Sequence, residues 1–389
     1  MTASNPLLPV DELDVLRRRR SAKWHSYPAD VLPLTVAELD FALAEPIRAV
    51  LRQALDSSDT GYARPAPELG TALSSFAAQR WGWTVDPDQV AAVTDVGVGM
   101  VELLRLCCRP GDTVVISPPI YPPFFHWAPE AGVRLAEVPL APDADRTPGW
   151  RLDLAGLEQA FRDGAAAYLL CSPHNPVGLV HPARDLAALV ALAERYGVRL
   201  ISDEIHAPLA LPGSSFTPLL AIEGADRLAI SLHSASKAWN LAGLKCAMII
   251  TDSPAMQSLV SQLPPDCRWR IGHFGVLASV AAYTEGQPWL DQLLATLLDR
   301  RQQLGRLLAD QLPQLAWDPP QASYLAWLDC RALGTGTAPR DRFLEQGRVA
   351  LEAGPHFGET VGSGYARLNF GTSDEILRLA IARMAAALN

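Results

Sequence analysis

Lys237 stands where lysine is unusual. It sits in Ser234-Ala235-Ser236-Lys237-Ala238-Trp239-Asn240-Leu241-Ala242-Gly243, among small and hydroxylated residues, just after an apolar run that ends at Leu232. Two chemistries suit it. A lysine in a strand-to-helix loop is most simply a solvated surface cation. The same amine, partly desolvated, is a nucleophile that forms a Schiff base, with nearby hydroxyls for an anionic group of a cofactor. The stretch by itself leaves both readings open.

Other polar residues also close apolar runs: Ser172 to Asn175, Asp203-Glu204, and Arg367 within 365–370. Singly, each has a plain structural reading. Asp203 could cap a helix, Asn175-Pro176 could be a turn, and Arg367 could be an ion-pair partner. His206 could be a satisfied polar residue and Tyr121 a core aromatic. Jointly they meet the demands of one cofactor, pyridoxal 5'-phosphate, held on Lys237. That cofactor needs a carboxylate at its ring nitrogen, donors at its ring hydroxyl, a phosphate cradle and an aromatic face. Its amino-acid substrate needs an arginine in bidentate contact with the α-carboxylate. The stretch Ala91 to Gly99 followed by a helical run offers the cradle, because a helix start presents free N–H groups and a positive dipole end.

Strands and helices must bring these residues together. After the strand that opens 91–99, strand-like runs at 113–117, 133–138, 167–171, 198–202, 228–232 and 246–251 alternate with helical runs. The clearest helix spans 183–196 and is closed by Gly197. This predicts an α/β fold: a large domain, 46–272, with a mostly parallel sheet flanked by helices and buried on both faces. Ligands in such sheets sit beyond the carboxyl ends of the strands, where the polar clusters fall. Further helices are expected at 46–56, 68–81 and 11–20. After residue 272 the pattern changes: a long helix at 290–312, strands at 323–328 and 365–370 with one exposed face, and a helix at 374–388. These predict a smaller α+β domain of 273–389 joined by the N-terminal arm, 1–45. Segments 338–342 and 354–364 read as mobile loops.

Six stretches, in order, resemble the aspartate-aminotransferase superfamily of fold type I pyridoxal-phosphate enzymes. They are PLTVAELDF (33–41), VISPPIYPPF (115–124), CSPHNPVG (171–178), SDEIH (202–206), SASKAWNLAG (234–243) and ARLNF (366–370). Within this class-I/II aminotransferase-like group the chain most resembles the bacterial cystathionine β-lyases, or C–S lyases. The resemblance implies that Lys237 carries the cofactor and later removes the Cα proton, with Asp203 on the ring nitrogen. Asn175 and His206 would face the ring hydroxyl, and Tyr121 would stack on the ring and complete the catalytic group. Gly97, Val98, Ser234 and Ser236 would hold the phosphate. Arg367, with Asn175, would bind the substrate. Tyr62 would reach the phosphate of a neighbouring subunit, which implies a homodimer with shared sites. Two departures stand out. Lys245 replaces an arginine that many aminotransferases place on the phosphate, which favours the lyase branch. Glu352-Ala353-Gly354 stands where Asn-Pro-Gly is common, ahead of Pro355 and His356.

The implied reaction is β-elimination from L-cystathionine or another S-substituted cysteine, yielding pyruvate, ammonia and a thiol. An aminotransferase is the alternative, since both reactions share their first half. A third reading is a sensor or repressor-binding protein acting through its surface. Among 389 residues, a net charge of −9 argues against nucleic acid or an acidic membrane as a partner. The short basic cluster Arg17 to Arg20 reads as a solvated helix face. The six cysteines show no C-x-x-C or metal-ligand spacing, and no metal is expected. Reduced thiols, no signal-like start and no apolar run of ~20 residues predict a cytoplasmic protein.

Overall fold

The six strand-like runs, and the strand expected within 91–99, pair into one sheet. The computed structural model describes residues 7–64, 66–143, 149–334, 336 and 339–388. Its strands are β1 (Val90–Val93), β2 (Thr113–Ile116), β3 (Arg134–Glu137), β4 (Ala165–Cys171), β5 (Arg199–Asp203), β6 (Ala229–His233) and β7 (Ala247–Ile250). Their order across the sheet is β1-β7-β6-β5-β4-β2-β3. Pairing is parallel except at β7, which runs antiparallel to both neighbours. The expected α/β architecture with a mostly parallel sheet is therefore observed.

Neighbouring residues of one strand feed different cores. In β4, Tyr168 and Leu170 join one hydrophobic cluster, while Ala167, Leu169 and Cys171 join the other. Helices cover both faces, so no position in the strand needs to be polar. The chain's helices include α1 (Glu45–Asp56), α2 (Pro67–Trp81), α3 (Val96–Cys107), α4 (Ala183–Tyr196), α5 (His273–Thr284), α6 (Gln287–Gln311) and α7 (Asp374–Ala386). Gly197 ends α4 at φ 71°, the left-handed cap that the sequence predicts. No described helix is long and apolar enough to cross a membrane.

A second sheet forms from β8 (Ala316–Trp317), β9 (Leu325–Asp329), β10 (Glu352–Ala353) and β11 (Tyr365–Asn369), ordered β8-β9-β11-β10 and antiparallel. The expectation of one exposed face is corrected here. Only Asp329 of β9 is less than buried, and β11 is buried throughout. The N-terminal segment covers the face thought free: the Asn369 amide group reaches Val36 O and Glu38 O at 2.7 Å each.

The arm also differs from expectation. The helix over 11–20 shrinks to Leu13–Leu16, followed by Ala22–His25. Arg19 leaves the solvated cluster and donates to Leu39 O and Asp40 O. Buried Lys23 pairs with buried Asp40 at 2.8 Å, and Trp24 donates to the same carboxylate. The arm returns as expected, since Leu32–Pro33 pairs in parallel with Val349–Ala350. Of the two segments read as loops, Pro339–Glu345 is a helix (Ala338 lies outside the described residues). Gly354–Phe357 is a 3-10 turn packed so closely that a Cβ on Gly354 would lie 2.1 Å from Gly362 O.

Candidate active site

Adjacent parallel strands deliver the polar residues to one place. Cys171, the last residue of β4, is in register with Asp203 at the end of β5, and Asp203 with Leu232 of β6. The loops leaving these strands carry Asn175, His206 and Lys237, and the loop after β2 carries Tyr121. A cavity of about 260 Å³ opens there. Its lining includes Lys237, Asp203, Asn175, His206, Tyr121 and Gly97, together with Ser234 and Ser236. Arg367, from the second sheet, joins it by donating to Asn175 Oδ1 at 3.1 Å.

Each ionisable group is tuned by its surroundings. Burial pushes the Asp203 carboxyl up to about 6; the Ile205 N–H and the nearby Lys237 and His233 charges oppose this. Burial also lowers the Lys237 amine to about 8, helped by the Arg367 charge. Its Nζ donates to Ala37 O at 3.1 Å. His206 is lowered to about 3, chiefly by burial and then by Lys237 and Arg367, so its ring is neutral at pH 7. Tyr121 is raised by burial and meets Trp127 edge-on, centroids 6.3 Å apart. Beneath the site, Glu204 accepts from Ser202, Leu219 N–H and Ser231, and meets His233 Nε2 at 2.8 Å.

The phosphate end is less open than its motif suggests. Asp95 caps α3, and its carboxylate accepts the Val98 N–H at 2.8 Å. Lys245 binds the other oxygen of that carboxylate at 3.0 Å. The Ser234 hydroxyl donates to Cys246 O. The Val98 side chain is partly exposed, and only its backbone belongs to this corner. Tyr62 is 88% exposed and stands apart from the cavity of its own chain.

Several participants carry no strong sequence signal. Tyr324 donates to Ala37 O at 3.0 Å, beside the lysine. Asn240 exchanges two hydrogen bonds with the Leu39 backbone. Trp127, Asp95 and His233 are likewise unmarked, whereas Glu204 closes an apolar run beside Asp203. Asn240 does lie inside one of the quoted motifs, which is the one signal that could have found it.

The residues present fit pyridoxal 5'-phosphate. The cavity holds an amine, a carboxylate and an aromatic ring together. Within the described residues His206 Nδ1 and Arg367 Nε are buried without a partner. An unsatisfied buried donor or acceptor costs about 1–3 kcal/mol; His206 lines the cavity, and a polar group bound there would offset that cost.

Comparison with known proteins agrees with this geometry. The family described as Aminotransferase class I and II matches residues 29–384. A Mycobacterium leprae protein whose name, a cystathionine beta-lyase, is itself provisional is 44% identical over 407 residues, covering 99% of this chain and 98% of that one. The cystathionine beta-lyase of Corynebacterium glutamicum is 34% identical, covering 97% and 99%. A solved structure from Corynebacterium diphtheriae, provisionally a PLP-dependent beta-cystathionase, superposes with a TM-score of 0.92 at 34% identity, covering 98% and 99%.

Proposed function

The chain belongs to the class I and II aminotransferase family, and from that premise we propose that it is a pyridoxal-phosphate-dependent carbon–sulfur β-lyase acting on L-cystathionine or other S-substituted cysteines. The observation that carries this reading is the convergence of Lys237 and Asp203 on one cavity, with Arg367 hydrogen-bonded to the Asn175 that lines it, in a chain whose full-length relatives bear the lyase name.

When bound, the cofactor supplies an aldehyde for an amine and a ring that takes up the electrons left at Cα. The chain's residues do the rest. Arg367 orients the substrate through its carboxylate, with Asn175 fixing the guanidinium. Lys237, with an amine lowered toward neutrality, takes the Cα proton. Asp203 holds a proton at the ring nitrogen; pairing with that cation reverses the upward push of burial on its carboxyl. Neutral His206 and Asn175 would face the ring hydroxyl, and Tyr121 would cover the ring. The N–H groups of Gly97 and Val98, the hydroxyls of Ser234 and Ser236, and Lys245 would hold the phosphate. For this, the Val98 N–H must be shared with Asp95 and the Ser234 hydroxyl must turn from Cys246 O. Exposed Tyr62 suits a contact with the phosphate of a second copy in a homodimer.

The balanced reaction consumes one water and one S-substituted cysteine, and releases one thiol, one pyruvate and one ammonium. Its test is incubation of the holoenzyme with L-cystathionine, with and without a 2-oxo acid acceptor. Equal amounts of pyruvate and thiol without the acceptor are expected. Amino transfer that depends entirely on the acceptor would assign the chain to the aminotransferases instead.

A further inference from the structure

Residues 35–40 form neither helix nor strand, yet each of their six carbonyls accepts a hydrogen bond from a side chain elsewhere. Three of these carbonyls, those of Thr35, Ala37 and Leu39, bear on the site. Arg367 Nη2 donates to Thr35 O at 2.8 Å. Lys237 Nζ and the Tyr324 hydroxyl share Ala37 O, at 3.1 and 3.0 Å. Asn240 takes both backbone groups of Leu39, donating to its carbonyl and accepting its N–H, at 3.0 Å each. The segment is thus a strap whose carbonyls aim the lysine and the arginine.

Asn240 lies three residues beyond Lys237, in the same loop, at φ 59°. Asparagine is one of the few side chains that adopt this left-handed conformation readily, and its amide is both donor and acceptor. Both properties are used here, so the residue type is accounted for by the clamp. From the other side, Asn369 holds Val36 O and Glu38 O, the carbonyls flanking Ala37. The Ala37 carbonyl therefore has little freedom to turn.

We propose that Asn240 is a positioning residue for Lys237: by clamping Leu39 it fixes the Ala37 carbonyl as the acceptor that receives the lysine amine whenever that amine is free. The proposal rests on the reading of Lys237 as the reactive amine. During turnover the amine is free once the substrate has displaced it, and it must then stay aimed at Cα rather than sweep through its rotamers. A carbonyl acceptor also stabilises the ammonium more than the neutral amine, so the strap adds to the Glu38 and Asp203 charges that raise the proton affinity of the base against burial and the Arg367 charge.

Two variants move that affinity in opposite directions. Asn240→Gly keeps the left-handed backbone and deletes only the amide. Tyr324→Phe deletes the competing donor and leaves Ala37 O to Lys237 alone. In the cofactor-free full-length protein, the pH dependence of Lys237 acylation, resolved by peptide mass mapping, gives the midpoint of the free amine. The midpoint should fall by about half a unit in Asn240→Gly and rise by a similar amount in Tyr324→Phe. In the holoenzyme, Asn240→Gly should lower kcat about tenfold, with KM changed less than about twofold. An unmoved midpoint in Asn240→Gly, or a loss of activity that only follows a fall in Tm, would overturn the proposal. Should Asn240→Gly fail to fold, Asn240→Ser, whose hydroxyl cannot bridge both backbone groups of Leu39, takes its place with the same expected fall and the same overturning result. Borohydride trapping of the cofactor on another residue would defeat the Lys237 reading and leave the midpoints to report on the strap.

Discussion

Asp203 shows how one residue serves two states of the protein. Burial raises its carboxyl from 3.8 to about 6, so the folded cofactor-free chain holds that proton more tightly than the unfolded chain does. The cost of the ionised form is fully present above about pH 6 and gone below 3.8. At pH 8 it is on the order of 2–3 kcal/mol. Cofactor-free Asp203→Asn should therefore melt several degrees above the wild type at pH 8 and level with it near pH 4, as scanning calorimetry would show. With the cofactor present the order should reverse, because the variant cannot pair with a protonated ring. Asp203, Asn175 and Lys237 were legible in the sequence because each lies just past an apolar strand. Tyr324 was not, since its hydroxyl reaches a backbone carbonyl 287 residues away, and no local pattern records such a bond.

Among the elements, α3 is the one whose chemistry the sequence half conceals. A strand, a turn and a helix start predict an anion site, and the structure has that geometry. It also places the Asp95 carboxylate there as the cap, held by Lys245. On the proposed reading, a phosphate bound there would share the Val98 N–H and Lys245 with this negative charge. Asp95→Asn keeps a good cap while removing the charge. The variant should bind pyridoxal 5'-phosphate several-fold more tightly in equilibrium dialysis, by roughly 0.5–1 kcal/mol. Weaker binding would mean that Asp95 helps to hold the phosphate by ordering Lys245. The helix α5 supports the same corner from behind. Gly275 passes so close that a Cβ would lie 2.4 Å from Leu244 O, the carbonyl just before Lys245. The sheet strands and α4 were legible from periodicity and the Gly197 cap. The burial of both faces of β9 and β11 was not, because the arm that covers them comes from the far end of the chain.

At the scale of the whole molecule, three buried histidines tie folding to pH. His174 is lowered to about 3, His181 to about 4 and His206 to about 3, each chiefly by burial. They stay neutral when folded, whereas the unfolded chain protonates them below about 6.5. Their stabilising contribution is complete above that pH and is lost as pH falls toward 3–4. Near pH 5, Asp203 opposes them with one proton, leaving a net uptake of about two on unfolding. Stability of the cofactor-free protein should fall by roughly 3 kcal/mol per unit around pH 5 in urea titrations, and a flat profile there would contradict these assignments. The two sheets and the arm meet at the cavity that His206 and Lys237 line, where we propose that Lys237 carries the cofactor. Borohydride reduction of the holoenzyme followed by peptide mapping tests that most directly. The reduced cofactor should be found on Lys237, and the visible band should be absent from Lys237→Ala. Cofactor trapped on any other lysine, or none trapped at all, would contradict the account.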